Sequence, residues 1–216
     1  MPKFVSLDLK AMRHSAAYDL LVSTVQPRPI AFVSTLNRSG KPNLAPFSFF
    51  MAGGVNPPSL VFCPVLLPTG EPKDSLRNIE ETGEYVVNLV TREMAEGMNA
   101  TSFDYPHGFD EWAVSGFSAI PSVRVAPSRV EQSPVQFECR VFQIVRHGVG
   151  RNGTTYVIGE ILQAHVFEVL WDGEKLLRER FLPLGRLGGP RYVDLSGPEI
   201  FTMPRPTEGA EPSLGN

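Results

Sequence analysis

The chain has 216 residues, 42% of them hydrophobic and 20% charged, enough to bury a substantial core without cross-links. Its 20 basic side chains against 23 acidic ones leave a formal charge of −3. That balance removes any electrostatic case for nucleic acid or an anionic membrane surface and leaves small molecules or other subunits as partners. The two cysteines, Cys63 and Cys139, stand far apart in neither a C-x-x-C nor a Cys/His cluster; they support no disulfide framework and no metal site, and they fit a reducing cytoplasm.

The opening MPKFVSLDLKAMRHSAAYDLL has no uninterrupted apolar stretch, and no apolar run in the chain approaches the roughly 20 residues that span a bilayer. Alternation then marks a strand over Ile30–Leu36, with Ile30, Phe32 and Ser34 on one face and Ala31, Val33 and Thr35 on the other, followed by a polar turn at Asn37–Gly40. The return run Leu44–Phe50 carries Pro46, which cannot donate to a ladder, so pairing is interrupted there and backbone groups are freed. With Ser34, Thr35, Asn43 and Ser48 these freed groups form a donor and acceptor set suited to a polar heterocycle and a phosphate. The same residues read equally as a barrel hairpin whose serines face water.

Further strands are expected at Ser59–Pro64, Glu84–Val90, Ser122–Ala126, Val135–His147, Thr155–Val169 and Leu176–Arg178. Gly, Pro and Asn punctuate them at short intervals, the pattern of an all-β antiparallel barrel or sandwich. Asn152–Gly153 marks a hairpin between the two longest runs, and in the first of these Val135, Phe137, Cys139, Val141 and Val145 form an apolar face opposite Gln136, Glu138 and Arg140. Helices are few and short: Leu76–Glu81, capped by Asp74 or Ser75 and ended by Gly83, and Arg92–Ala100 after Thr91. The stretch Ser102–Pro121 reads as a long, functional loop. Residues 1–204 are expected to form one domain, with a mobile tail over 205–216.

Three segments carry chemistry. The Lys73-Asp74-Ser75 start of the first helix offers free N–H groups, a lysine and a hydroxyl, which is how a phosphate is held; read alone it is an ordinary cap beside a solvated lysine. The run Arg186–Tyr192, with two glycines, a proline and flanking arginines, suits a segment lying over a pocket or reaching a neighbouring subunit, and also an ordinary surface turn. His165 alternates with Ala164 and Val166 and either lines a cleft or caps a strand edge. No G-x-G-x-x-G after a strand, no P-loop and no G-x-S-x-G occur, so Rossmann, P-loop and serine-hydrolase chemistry are not indicated.

PRPIAFVST, NLAPFSFF, KDSLRNIEETGEYVVNLV, SPVQFECRV, GEILQAHV, PLGRLGGPRY and FTMPRP, in that order from about Ser23 to Pro206, resemble the flavin reductase-like FMN-binding proteins, the flavoredoxin and DIM6/NTAB branch of the split-barrel flavoproteins. The resemblance implies a six-stranded antiparallel split β-barrel of Greek-key character, a homodimer, and one FMN per subunit near the dimer interface, with FAD as an alternative. It assigns cofactor contacts to Arg28, Ser34, Thr35, Asn43, Ala45, Pro46, Phe47 and Ser48, the phosphate to Lys73, Asp74 and Ser75, and places Cys63 near the flavin-facing strand. Arg186, Arg191 and Tyr192 would join if the C-terminal segment folds over the pocket, and His165 would stand on the nicotinamide side as the catalytic candidate. In such a protein hydride passes from NAD(P)H to flavin, so no acid–base pair is needed. The activity implied is an NAD(P)H-dependent flavin reductase serving a monooxygenase or another acceptor protein; the alternative is a flavoredoxin-type electron carrier that does not oxidise NAD(P)H. A pyridoxamine-phosphate-oxidase-like enzyme ranks last for want of a second phosphate-binding cluster.

Overall fold

The computed structural model describes residues 2–197. Chain order is α1 (His14–Thr24), β1 (Arg28–Pro29), β2 (Ala31–Leu36), β3 (Pro42–Phe47), β4 (Phe50–Val55), β5 (Pro58–Phe62), α2 (Asp74–Thr82), β6 (Glu84–Leu89), α3 (Ala95–Ala100), α4 (Trp112–Ser115), β7 (Ala119–Ile120), β8 (Arg129–Val130), β9 (Val135–His147), β10 (Thr154–Val166), β11 (Gly185–Arg186) and β12 (Tyr192–Val193). Seven strands form an antiparallel sheet in the order β3-β2-β6-β9-β10-β5-β4, curled as a split barrel, while β1, β11 and β12 make a small three-stranded patch. No helix among the described residues is long and apolar enough to cross a membrane. The FTMPRP run and the expected tail at 205–216 lie outside the described residues.

The alternation in β2 survives in three dimensions, but both of its faces are buried. Ala31 and Val33 pack with Phe62, Leu76, Ile79, Tyr85 and Cys139 inside the barrel, while Ile30 and Phe32 pack with Leu44, Met94 and Met98 on the outer side. A strand covered on both faces has no solvent side, and Ser34 and Thr35 are accordingly 1% exposed. Gly83, at φ 72°, ends α2 in the left-handed conformation that a side chain would resist.

Several expectations change. The resemblance implied six strands and the sheet has seven, because the interrupted run Leu44–Phe50 divides: β3 stops at Phe47, and a separate strand, β4, starts at Phe50 and pairs with β5. Ser122–Ala126 is not a strand; the N–H groups of Val123, Arg124 and Val125 go to the Glu138 carboxylate instead of a neighbouring ladder. Leu176 makes only an isolated bridge to Trp171, and Arg178–Arg180 is a 3-10 turn. Thr154–Val166 ends before Val169, where Glu168–Leu170 forms another 3-10 turn. Helix α1 was unassigned in the sequence because only Val22 of it is buried, leaving little periodic signal. On the polar face of β9, Arg140 is exposed but Gln136 is 3% and Glu138 0% exposed, roofed by the 121–133 segment.

Candidate functional site

A groove runs along the outer end of β3 in two connected parts that meet at Pro46 and Ser102. The first, about 470 Å³, lies between α1, β1 and the 185–192 segment and includes Arg28, Pro46, Ser48, Arg186 and Tyr192. The second, about 190 Å³, lies at the start of α2 and includes Asn43, Ala45, Phe47, Lys73, Asp74 and Ser75. Eleven sequence-predicted residues are thus distributed over one continuous groove, counting Pro46 once and leaving Arg191 aside. Ser34, Thr35, Cys63 and His165 line neither part.

The α2 end is assembled by side-chain bonds between distant segments. Asn43 Nδ2 donates to Ser75 Oγ at 2.8 Å, and Asn78 Nδ2 donates to Thr35 Oγ1 at 2.9 Å, so the β2–β3 hairpin holds the helix in place. The Thr35 hydroxyl is committed to that bond, and Ser34 Oγ donates to the Ser128 carbonyl at 2.5 Å on the other face. No side chain caps α2, which leaves the first-turn N–H groups and their partial positive charge without a helical partner. Around them, Lys73 Nζ reaches Asp104 at 2.9 Å, and the Asp74 carboxylate takes His107 Nδ1 at 2.5 Å and Gly108 N–H at 2.7 Å. The 102–109 loop is therefore clipped to the helix start. It is stiffened by Tyr105, which stacks on Phe109 at 4.1 Å and meets Phe103 at 5.0 Å.

Glu111 closes the inner side of this part. It is 8% exposed, and its Oε2 accepts the Leu44 N–H at 3.3 Å, a group the edge strand leaves unpaired. Burial pushes its carboxyl up, against the pull of backbone hydrogen bonds, and the nearby Asp74 and Asp110 add to the rise. Tyr18, Met98, Tyr105, His107 and Glu111 are groove residues that reading the sequence missed individually. The long loop had flagged the neighbourhood of Tyr105, His107 and Glu111, but nothing local distinguishes Tyr18.

At the other end, Arg28 is 6% exposed and acts as a staple. Its Nη1 donates to the Val22 carbonyl at 2.6 Å and the Val25 carbonyl at 3.0 Å, and its Nη2 to the Leu187 carbonyl at 3.2 Å. Two of these carbonyls close the end of α1, where a cation is favoured. The glycines of the 186–192 run have a physical reason: a Cβ on Gly188 would lie 2.7 Å from Ser23 Oγ, so only glycine lets this segment approach α1 so closely. Arg186 stands over the Tyr192 ring, 4.4 Å from its centroid, and bonds to the Tyr192 hydroxyl.

His165 belongs to a different place. Its Nε2 pairs with Glu138 Oε1 at 2.6 Å beside a cavity of about 350 Å³ that also touches Arg129, Gln136 and Ser133. Burial alone would raise the Glu138 carboxyl; donors from Val123, Arg124 and His165 outweigh it and hold the group below its ordinary value. Cys63 follows the end of β5, half-buried, and burial pushes its thiol up to about 11, which keeps it protonated and unreactive near neutral pH.

The groove residues suit a flavin phosphate ester at α2, where uncapped amides, Lys73 and a hydroxyl converge, with apolar Ala45, Pro46 and Phe47 adjoining for a flat ring. A split barrel with such a groove defines a class of flavin-binding barrels. The Flavin reductase like domain matches residues 24–177, and the chain belongs to that family. A protein of Deinococcus radiodurans is 42% identical over 173 residues, 78% of this chain and 74% of its own length. The crystal structure of the 2-nitrobenzoate 2-nitroreductase NbaA of Pseudomonas fluorescens superposes with a TM-score of 0.83 at 32% identity, covering 95% of this chain and all of the other. Nitrilotriacetate monooxygenase component B of Bacillus cereus gives a TM-score of 0.88 at 27% identity, over 94% of this chain and 100% of its own.

Proposed function

We infer that the protein is an FMN-dependent oxidoreductase that takes electrons from NAD(P)H, a flavin reductase. The observation that carries this reading is the uncapped start of α2, which meets Lys73, Ser75 and Asn43 in the same groove as the proline-interrupted exit of β3. Lys73 and the first-turn amides would hold the phosphate, with Lys73 exchanging its exposed partner Asp104, whose side chain is 62% accessible. Ala45, Pro46 and Phe47 would supply the apolar wall for the ring and keep water from one face. Flavin, when bound, supplies the two-electron chemistry, so the chain contributes binding, orientation and charge.

The likeness to a monooxygenase component supports a partner oxygenase as the destination of reduced flavin. A homodimer belongs to the same reading, since Met51 and Val55 on the free edge strand β4 are exposed apolar groups that a second copy would cover. The test is FMN and FAD titration by flavin fluorescence, followed by NADH and NADPH oxidation with added flavin in air. FMN binding together with nicotinamide oxidation above the free-flavin background is the expected result. Binding without oxidation of either nicotinamide identifies a flavoredoxin-type carrier, and absence of flavin binding removes the cofactor.

A further inference from the structure

We propose that the larger part of the groove, between α1, β1 and the 185–192 segment, is a recognition site for a planar aromatic carboxylate. Its position as a second-substrate site rests on the flavin reading above; its binding chemistry does not.

The floor of this part is apolar, formed by the buried Val22, Ile30 and Met98, and Tyr18 and Tyr192 stand at its sides. Two guanidiniums, Arg28 and Arg186, border the same space. Arg28 is held down first by burial and then by Arg186, with Tyr18 acting in the opposite sense. Among the described residues neither arginine has a carboxylate within salt-bridge distance, although six other cationic side chains and both paired histidines do. Arg28 hydrogen-bonds only to carbonyls and stands over the Phe49 ring, and its buried Nε has no partner among the described residues. A buried cation with a vacant donor beside a second unpaired cation is a costly arrangement unless an anion completes it.

The shape limits which anion. A space of about 470 Å³ with an apolar floor takes one or two rings, and paired guanidiniums match the planar fork of a carboxylate. Asp19, exposed at the same mouth, adds a negative charge that a dianion would feel more than a monoanion. Because this space joins the phosphate end at Pro46 and Ser102, a ring held here lies against the wall assigned to the flavin.

The experiment is calorimetric titration of the flavin-free protein with benzoate, its neutral analogue benzamide, and phenyl phosphate. Benzoate is expected to bind about tenfold or more tightly than benzamide. Arg186→Gln should lose that margin, and Arg186→Lys, which keeps the charge without the fork, should recover part of it. Lys73→Ala should leave benzoate binding unchanged while weakening FMN. Equal affinity for benzoate and benzamide, tighter binding of phenyl phosphate than benzoate, or an Arg186→Gln protein that folds and binds benzoate normally would each overturn the carboxylate site. FMN titration of the same samples separates the two ideas: benzoate bound without FMN removes only the flavin reading, and FMN bound without benzoate removes only this one.

Discussion

Two carboxylate-centred clusters, built from similar side chains, behave as opposites. At the start of α2, Asp74 pairs with an exposed histidine and a loop amide, and Lys73 pairs with an exposed aspartate. On the far side of the sheet Glu138 is fully buried and takes three backbone amides, His165 and, at 3.9 Å, Arg129. Pairs open to water are worth little and exchange partners readily, whereas a buried carboxylate whose donors have no other acceptor is fixed. The first arrangement suits a place where a ligand must enter, and the second suits a peg that pins the 121–128 segment to β9.

The largest effect expected from this contrast is at the peg. Glu138→Ala should cost about 3–5 kcal/mol in urea unfolding, since it strands several buried donors. A loss below about 1 kcal/mol would show the peg to be no stronger than a surface pair. The acid response follows from the same group. Its carboxyl is depressed in the folded protein, so its contribution is complete above the ordinary glutamate value of about 4.3 and is lost as pH falls through the lower folded value. Denaturation midpoints of the native chain should therefore fall below about pH 4, and those of Glu138→Gln should fall less steeply.

At the groove the effects are smaller and move from stability to binding. Ser75→Ala should weaken FMN by about 1–3 kcal/mol and also lower stability, because Asn43 Nδ2 loses its acceptor. Lys73→Ala should weaken FMN by a similar 1–3 kcal/mol while changing stability by no more than about 0.5 kcal/mol. Asp104→Asn should be the mildest, within about 0.5 kcal/mol in stability, with FMN bound slightly more tightly as Lys73 is released. If Asp104→Asn weakened FMN instead, the loop clip would be part of the binding surface.

The strands were legible where one rule acted alone. β2 and β9 alternate, α2 has a clear start and a glycine stop, and Asn152, at φ 57°, makes the turn its sequence predicts. Failures came where side chains replaced backbone partners. Ser122–Ala126 has strand-forming residues, yet its amides are taken by Glu138, a partner sixteen residues from the start of that run and invisible to local pattern. The groove was legible through Lys73–Ser75 and the β3 proline because helix starts and interrupted strands have local signatures. Tyr18 and Glu111 have none, since they enter the groove only through tertiary packing of α1 and of the long loop. The burial of Gln136 and Glu138 was not legible for the same reason: a period of two assigns faces but does not say which face is covered.

The order of the sheet puts β3 at one edge and β4 at the other, yet only Ser48 and Phe49 separate them along the chain. Two intervening residues can stretch across about 10 Å at most. The barrel's open side is thus leashed at the groove end and unleashed at the other, so any widening of the slit must pivot there. Molecules seated against Pro46 and Ser48 would sit at the fulcrum of that motion, where displacement is least, and partner surfaces farther along β4 would feel it most.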